Sequence, residues 1–354
     1  MPITYRPITL DEFDEFDFAV MRGFSAHPES NPWFKDFARR SFEPEQSVIA
    51  FDGEQIVGTS SSFTFEISIP GANTLPVGGI TEVTVSPTHR RRGILTEMMR
   101  RQLDAHHERE IPLAALWASE SVIYGRYGYG MAVTHEHREI DLRHTSFTHG
   151  PDIRGQMRFL DKEDAQKVFS PILEKAWLEY PAMIRRDDLT WEAAITDQDG
   201  LRSRAPALFY AVYEVDGVAT GYVMYRIRHG VTAGDATNSV QIHELVASDD
   251  EATAALWRFC FDIDLASTLT VGHGATTDDG LPWMLSDPRR LKRSSYDGLW
   301  LRLIDVPMAL SARTYSEDGS LVIRVEDSFC KWNDGKWRID GGPKGAECAS
   351  TNEQ

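Results

Sequence analysis

Val83-Thr84-Val85 reads as a β-branched strand, and beyond it the spacing of apolar positions changes. From Thr96 to Leu103 the pattern predicts a helix, with Met98, Met99 and Leu103 available for burial and Arg100 and Arg101 left to solvent. Near the end of the chain, Leu299-Trp300-Leu301-Arg302-Leu303-Ile304, Leu321-Val322-Ile323-Arg324-Val325 and Lys336-Trp337-Arg338-Ile339 alternate like strands. Asp318-Gly319 and Asp334-Gly335 supply turn signals among them.

Set against itself, the chain contains a duplication. Phe51-Asp52-Gly53-Glu54 reads as a hairpin turn, Gly58 follows, and Ile80-Thr81-Glu82-Val83-Thr84-Val85-Ser86 comes after it. Val215-Asp216-Gly217-Val218, Gly221 and Ile242-His243-Glu244-Leu245-Val246-Ala247-Ser248 repeat the arrangement at nearly the same spacing. Two copies of one α/β fold are expected. A turn-rich linker at 144–155 and a break near Ser286-Asp287-Pro288-Arg289-Arg290 give domains at 1–146, 147–288 and 289–354, the last a small strand-rich unit.

The copies differ in charge where it matters. The first continues into Pro87-Thr88-His89-Arg90-Arg91-Arg92-Gly93-Ile94-Leu95-Thr96, an Arg/Gly loop that opens straight into the helix. Unpaired N–H groups and the positive end of the dipole make such a helix start an anion site, and Gly93 lets phosphates approach the backbone. The second copy has Asp249-Asp250-Glu251 at that point. Those carboxylates serve as caps and repel a pyrophosphate, so the second copy is expected to be a scaffold.

The 354 residues carry a net charge of −17, which repels nucleic acid over most of the surface and suits a cationic substrate, or else serves solubility alone. Residues 90–101 are a basic island of five arginines against Glu97. No stretch approaches the roughly 18 apolar residues of a membrane span, and the start lacks a signal-peptide pattern. Cys260, Cys330 and Cys348 are widely spaced and read as reduced thiols of a cytoplasmic protein. His135-Glu136-His137 lacks further ligands at metal spacing, no G-x-S-x-G elbow exists, and His106-His107 is expected on an exposed helix face. Trp33-Phe34 with Phe37 is open between core packing and an acceptor-side helix. Glu82 adjoins Val83, but Glu244 holds the same place in the copy without the cradle, which favours a structural role.

The form V-x-V-x-P-x-x-R-R-x-G before a helix resembles the cofactor segment of the GNAT acetyl-CoA-dependent N-acetyltransferases. Together with Leu116-Trp117-Ala118-Ser119-Glu120 and Ile123-Tyr124-Gly125-Arg126-Tyr127-Gly128-Tyr129-Gly130, the tandem copies and the tail resemble the enhanced intracellular survival (Eis) family of aminoglycoside N-acetyltransferases. The resemblance implies two GNAT-like folds followed by a sterol-carrier-protein-like unit, here incomplete. It implies acetyl-CoA as cosubstrate, with no metal, and transfer to several amines of a cationic acceptor by a hexamer.

Carried onto this sequence, it makes Val83, Thr84, Val85, Arg90, Arg91, Arg92, Gly93, Ile94, Leu95, Thr96, Ser119 and Glu120 the cofactor contacts. It makes Tyr124 the proton donor: a phenol with pKa near 10 is protonated at neutral pH and can protonate a departing thiolate. The family's base is a terminal carboxylate. Ser350-Thr351-Asn352-Glu353-Gln354 does not match that terminus, so Gln354 is not assigned the role. A lysine or peptide N-acetyltransferase, and a CoA-binding module without turnover, are the alternatives.

Overall fold

The computed structural model describes residues 2–26, 32–198, 202, 205–276 and 279–353. Its first segment runs β1 (Thr4–Arg6), α1 (Phe13–Gly23), α2 (Pro32–Ser41), β2 (Ile49–Asp52), β3 (Gln55–Ile69) and β4 (Asn73–Val85). It continues through α3 (Ile94–Glu108), β5 (Leu113–Trp117), α4 (Ser121–Tyr124) and β6 (Gly130–Met131). The second begins with β7 (Thr134–Asp141) and β8 (Gln156–Leu160), then α5 (Lys162–Trp177), α6 (Asp188–Ile195), β9 (Phe209–Val215) and β10 (Val218–Arg228). A two-stranded ladder, β11 (Val231–Thr232) and β12 (Asp235–Ala236), leads to β13 (Asn238–Ala247), α7 (Asp250–Phe261), β14 (Ala266–Thr276), α8 (Leu281–Met284) and β15 (Lys292–Asp297). The last comprises β16 (Leu299–Leu303), α9 (Val306–Ser311), β17 (Gly319–Val325), β18 (Gly335–Gly342) and β19 (Gly345–Ser350).

The duplication is visible strand for strand. One seven-stranded sheet has the order β1-β2-β3-β4-β5-β16-β6, and the other, read from its far end, β8-β9-β10-β13-β14-β7-β15. Each is antiparallel except at one central pair, β4 with β5 and β13 with β14. Between the parallel strands runs the crossover helix, α3 or α7. Both helices press on their sheet at the repeated glycine. A Cβ on Gly58 would lie 2.9 Å from Ile94 Cγ2, and one on Gly221 would lie 2.9 Å from Leu256 Cδ1. The two spared side chains mark one packing solution used twice.

The chain divides into compact units made of 1–132, 180–185 and 299–354, and of 133–179 and 186–298. The first division falls between Ala132 and Val133, ahead of the boundary expected after residue 146, because β7 pairs with β14 and β15 and needs those backbone partners. The tail expected as one unit from 289 is split for the same reason. Strand β15 closes the second sheet, whereas β16 enters the first between β5 and β6. Only β17, β18 and β19 form a separate three-stranded sheet, on which α9 is tied by Cys348 N–H donating to Ser311 Oγ at 2.8 Å. Alternation marks a strand without saying which sheet it joins.

Helix α3 buries Met98, Met99 and Leu103 as its spacing predicts. His106, expected in solvent, is buried too: its ring occupies the space a Cβ on Gly78 would need, and Nε2 meets Ser62 Oγ at 3.0 Å. Burial pushes its pKa down to about 4, so it is neutral at physiological pH. His107 stacks on Trp332 at 4.2 Å. Helix α2 has no buried residue; Trp33 and Phe37 stack on each other at 5.3 Å, so the aromatic cluster there is not core.

Candidate active site

The central strand β4 is bent by a bulge at the point where chemistry was expected. Thr81 pairs with Ser61 and Thr84 with Thr59, so Glu82 and Val83 face a single residue of β3. Glu82 sits at φ 54°, a left-handed conformation that the surrounding ladder must hold in place. On its other edge β4 pairs with β5 only from Val77 to Gly79. From Ile80 onward the two parallel strands part, leaving a wedge with one backbone edge of β4 turned into it. An extended chain could add to that edge as a strand.

Beyond the wedge, Arg90, Arg91, Arg92 and Gly93 are exposed and lead into α3. Gly93 is the helix N-cap at φ 79°, has no side chain to fill the first-turn N–H groups, and its Cβ position faces open space, with nothing but its chain neighbours within 4 Å. This open, uncapped helix start could hold a pyrophosphate. Arg92 leans 3.8 Å from Asp52, which also meets His89 at 3.1 Å. Ile94 is core, and Leu95 packs beside Tyr124 and Tyr127 in a shared cluster. Thr96 Oγ1 lies 3.3 Å from the Tyr127 hydroxyl. Thr84 turns its hydroxyl to Thr59 at 2.7 Å, inside the protein, so only its main chain is available to a cofactor.

A cavity of about 180 Å³ lies in the wedge, lined by Ile80, Thr81, Glu82, Val83, Trp117, Ser119 and Tyr124 together with Phe24, Phe63 and Phe65. Ser119 of the predicted set is in this lining, and Glu120 is the N-cap of α4, immediately before Tyr124's helix. Tyr124 is 5 % exposed and edge-on to Tyr129 at 5.9 Å. Burial pushes its pKa up to about 12, so it carries its proton throughout the working range.

Glu82, for which the sequence favours a structural role, belongs to this lining. Its carboxylate accepts from the Ser61 hydroxyl, and burial raises its pKa from 4.5 to about 6, with Asp17 of α1 adding to the rise. The raised value means that stability is full below the unfolded pKa of 4.5 and is lost as pH climbs through 6. Glu82→Gln is therefore expected to stabilise the fold by on the order of 1–2 kcal/mol above neutrality, about 2–6 °C in Tm. Thermal melts should show that gain at pH ~8 and none at pH ~4. An equal shift at both would count against burial as the cause.

Comparison with known proteins fits this geometry. The acetyltransferase (GNAT) domain family matches residues 4–132, a second acetyltransferase (GNAT) domain matches 182–303, and a sterol carrier protein domain matches 306–354. An N-acetyltransferase of Streptomyces avermitilis is 35% identical over 356 residues, covering 100% of this chain and 86% of that protein. N-acetyltransferase Eis of Mycobacterium tuberculosis is 31% identical over 316 residues, covering 85% of this chain and 72% of its own. This chain belongs to the Eis family of GNAT N-acetyltransferases. The crystal structure of Eis1 from Mycobacterium abscessus superposes with a TM-score of 0.84 at 27% identity, covering 100% of this chain and 86% of that one.

As an Eis-family acetyltransferase, the protein draws on acetyl-CoA, the donor its GNAT fold implies. Its second copy has the corresponding helix start filled by its own side chain. There the Asp249 side chain accepts the Ala252 N–H at 2.8 Å and so caps α7, as the charge pattern predicts. Glu244, at the place of Glu82, accepts from Arg186 Nη1 and from the Tyr222 hydroxyl, each at 3.0 Å. Glu82 has no such cation among the described residues. The aromatic lining from Phe24, Phe63 and Phe65 escaped sequence reading; Gly79 was its only local sign, since a Cβ there would lie 2.6 Å from the Phe65 ring. Among the described residues no group of three or more His, Cys, Asp or Glu could hold a metal ion, and no helix is long and apolar enough to cross a membrane.

Proposed function

We propose that the protein moves acetyl from acetyl-CoA to primary amines of cationic acceptors, aminoglycosides at several positions among them, by direct attack, with Tyr124 protonating the CoA thiolate. The observation that carries this reading is the meeting of Tyr124, Ser119 and the parted edge of β4 in one cavity, in the same unit as an uncapped helix start. The N–H groups of α3 and Arg90 to Arg92 take the pyrophosphate, and the main chain of Val83, Thr84 and Val85 pairs with the pantetheine arm. A backbone N–H at the bulge holds the thioester oxygen as charge develops on it. Ser119 and Glu120 contact the cofactor from the β5 side. Acetyl-CoA supplies an activated acyl group with a good leaving group, and the cavity excludes water from it.

Isothermal titration with acetyl-CoA is expected to give saturable 1:1 binding, and its absence overturns the reading. Product mass spectrometry then compares kanamycin with a lysine peptide: acetylated kanamycin with more than one added acetyl is expected, whereas modification of the peptide alone selects a protein acetyltransferase. On the family likeness the assembly is proposed as a cytoplasmic homohexamer, in keeping with three buried cysteines that form no disulfide. Light scattering on the purified chain tests the oligomer.

A further inference from the structure

We propose that the loop between β17 and β18, residues 326–334, is a brace that positions Tyr124, with the Phe329 ring and the ion pair of Arg302 and Asp327 as its positioning groups. The inference rests on the acetyl-transfer reading above and adds what holds its proton donor in place. The need for a brace comes from Tyr124 itself. Its hydroxyl makes no hydrogen bond among the described residues, so the ring is placed by packing. The backbone around it is short of support of its own. One turn of α4 passes into a tight turn at Gly125–Tyr127, closed by the Gly128 N–H donating to the Gly125 carbonyl at 3.1 Å, and Gly128 then reverses the chain at φ 81°. A helix of four residues is far below the length that sustains itself.

The support comes from the far end of the chain, inside the same compact unit. Arg302 of β16 is 7 % exposed, and its Nη1 lies 2.7 Å from where a Cβ on Gly128 would stand, so only a glycine lets the guanidinium seat against the turn. Its Nη2 donates to Asp327 Oδ2 at 2.5 Å. Asp327 also accepts the N–H groups of Phe329 at 3.1 Å and Cys330 at 2.9 Å, which folds the 326–334 loop around one carboxylate and fixes Phe329 beside the turn.

The Phe329 ring then joins two elements that the reaction needs in register. It stands edge-on to Tyr127 at 5.2 Å, and the Tyr127 hydroxyl reaches Thr96 in the first turn of α3 at 3.3 Å. Arg100, one turn further along α3, lies over the same ring at 4.3 Å and donates to the Phe329 carbonyl at 3.2 Å. The turn that carries Tyr124 and the helix that begins at the Arg/Gly loop are therefore packed on one side chain from the sterol-carrier-like segment. Phe329 touches neither substrate in this reading. It acts by keeping the phenol within reach of the thiolate, where a misplacement of about 1 Å costs on the order of 100-fold in rate.

Arg302 and Asp327 are poor probes, because removing either strands a buried charge. Phe329 is half-buried, and leucine keeps its apolar bulk while losing the ring. Full-length wild type, Phe329→Leu, Tyr124→Phe and the double variant are compared in kcat, with melts and acetyl-CoA titrations on the same preparations. Phe329→Leu should lower kcat by about 10- to 100-fold and leave the Kd for acetyl-CoA within about threefold. In the Tyr124→Phe background the same change should cost no more than about twofold, since no proton donor remains to be misplaced. Phe329→Tyr, which keeps the ring, should hold kcat within about threefold of wild type. A loss of equal size on both backgrounds marks a smaller folded fraction and overturns the brace, as does an unchanged kcat in Phe329→Leu; both leave acetyl transfer intact. Tyr124→Phe as fast as wild type removes the donor itself and overturns that part of the acetyl-transfer reading together with the brace.

Discussion

Tyr124→Phe is expected to lower kcat by on the order of 100- to 1,000-fold while leaving the Kd for acetyl-CoA within about twofold. Only the hydroxyl is removed. The ring keeps its edge contact with Tyr129 and its place among Ile80, Met99 and Leu103. Because the Tyr124 hydroxyl makes no hydrogen bond among the described residues, its loss strands no partner, and Tm should move by no more than about 1–2 °C. On the proposed mechanism the rate effect is large because breaking the C–S bond places charge on sulfur beside a buried phenol, which at a pKa near 12 delivers its proton only as that charge appears. Stopped-flow detection of free thiol separates the steps: the variant should bind donor and acceptor and stall before thiol release. A variant as fast as wild type would remove Tyr124 from the chemistry and return it to packing.

How much of this was legible in the sequence depends on whether the deciding contact is local. The strand, exposed Arg/Gly loop and helix start were readable because they are contiguous, and the hairpin turns and repeated glycines were readable because one packing solution occurs twice. The cap on α7 was readable too, since Asp249 and Ala252 lie three residues apart. What could not be read lies across long gaps. The sixth position of the first sheet is filled by β16, a strand from beyond the second unit in sequence, and that of the second by β7, the first strand of that unit and far in sequence from its partners β14 and β15. Each alternates correctly, and nothing in its own residues names its neighbour. His106 reads as one of two adjacent imidazoles on a polar helix; its burial is set by Ser62 and Gly78 on other strands. The same holds for the two glutamates: Glu82 and Glu244 are alike in sequence context and differ in whether an arginine, 58 residues away in the one case, reaches the carboxylate.

That contrast yields the second large effect. Gly93→Asp places at the mouth of α3 the carboxylate that α7 already carries in Asp249, and acetyl-CoA affinity is expected to fall by at least about 100-fold, close to 3 kcal/mol. The new side chain competes for the first-turn N–H groups and opposes the pyrophosphate by charge, two losses that add at one site. Folding should survive, since a Cβ at this position meets open space beyond its chain neighbours and aspartate tolerates the left-handed backbone at φ 79° better than most residues. Gly93→Ala is the control for backbone cost, which is about 1–2 kcal/mol and brings no anion. It should weaken acetyl-CoA by about tenfold or less, with the two variants melting within a few degrees of each other. Equal losses in both would mean that the backbone, and not the open helix start, governs binding. A loss confined to Gly93→Asp means that acetyl-CoA binding depends on a helix start left uncapped, the state that Asp249 removes at α7.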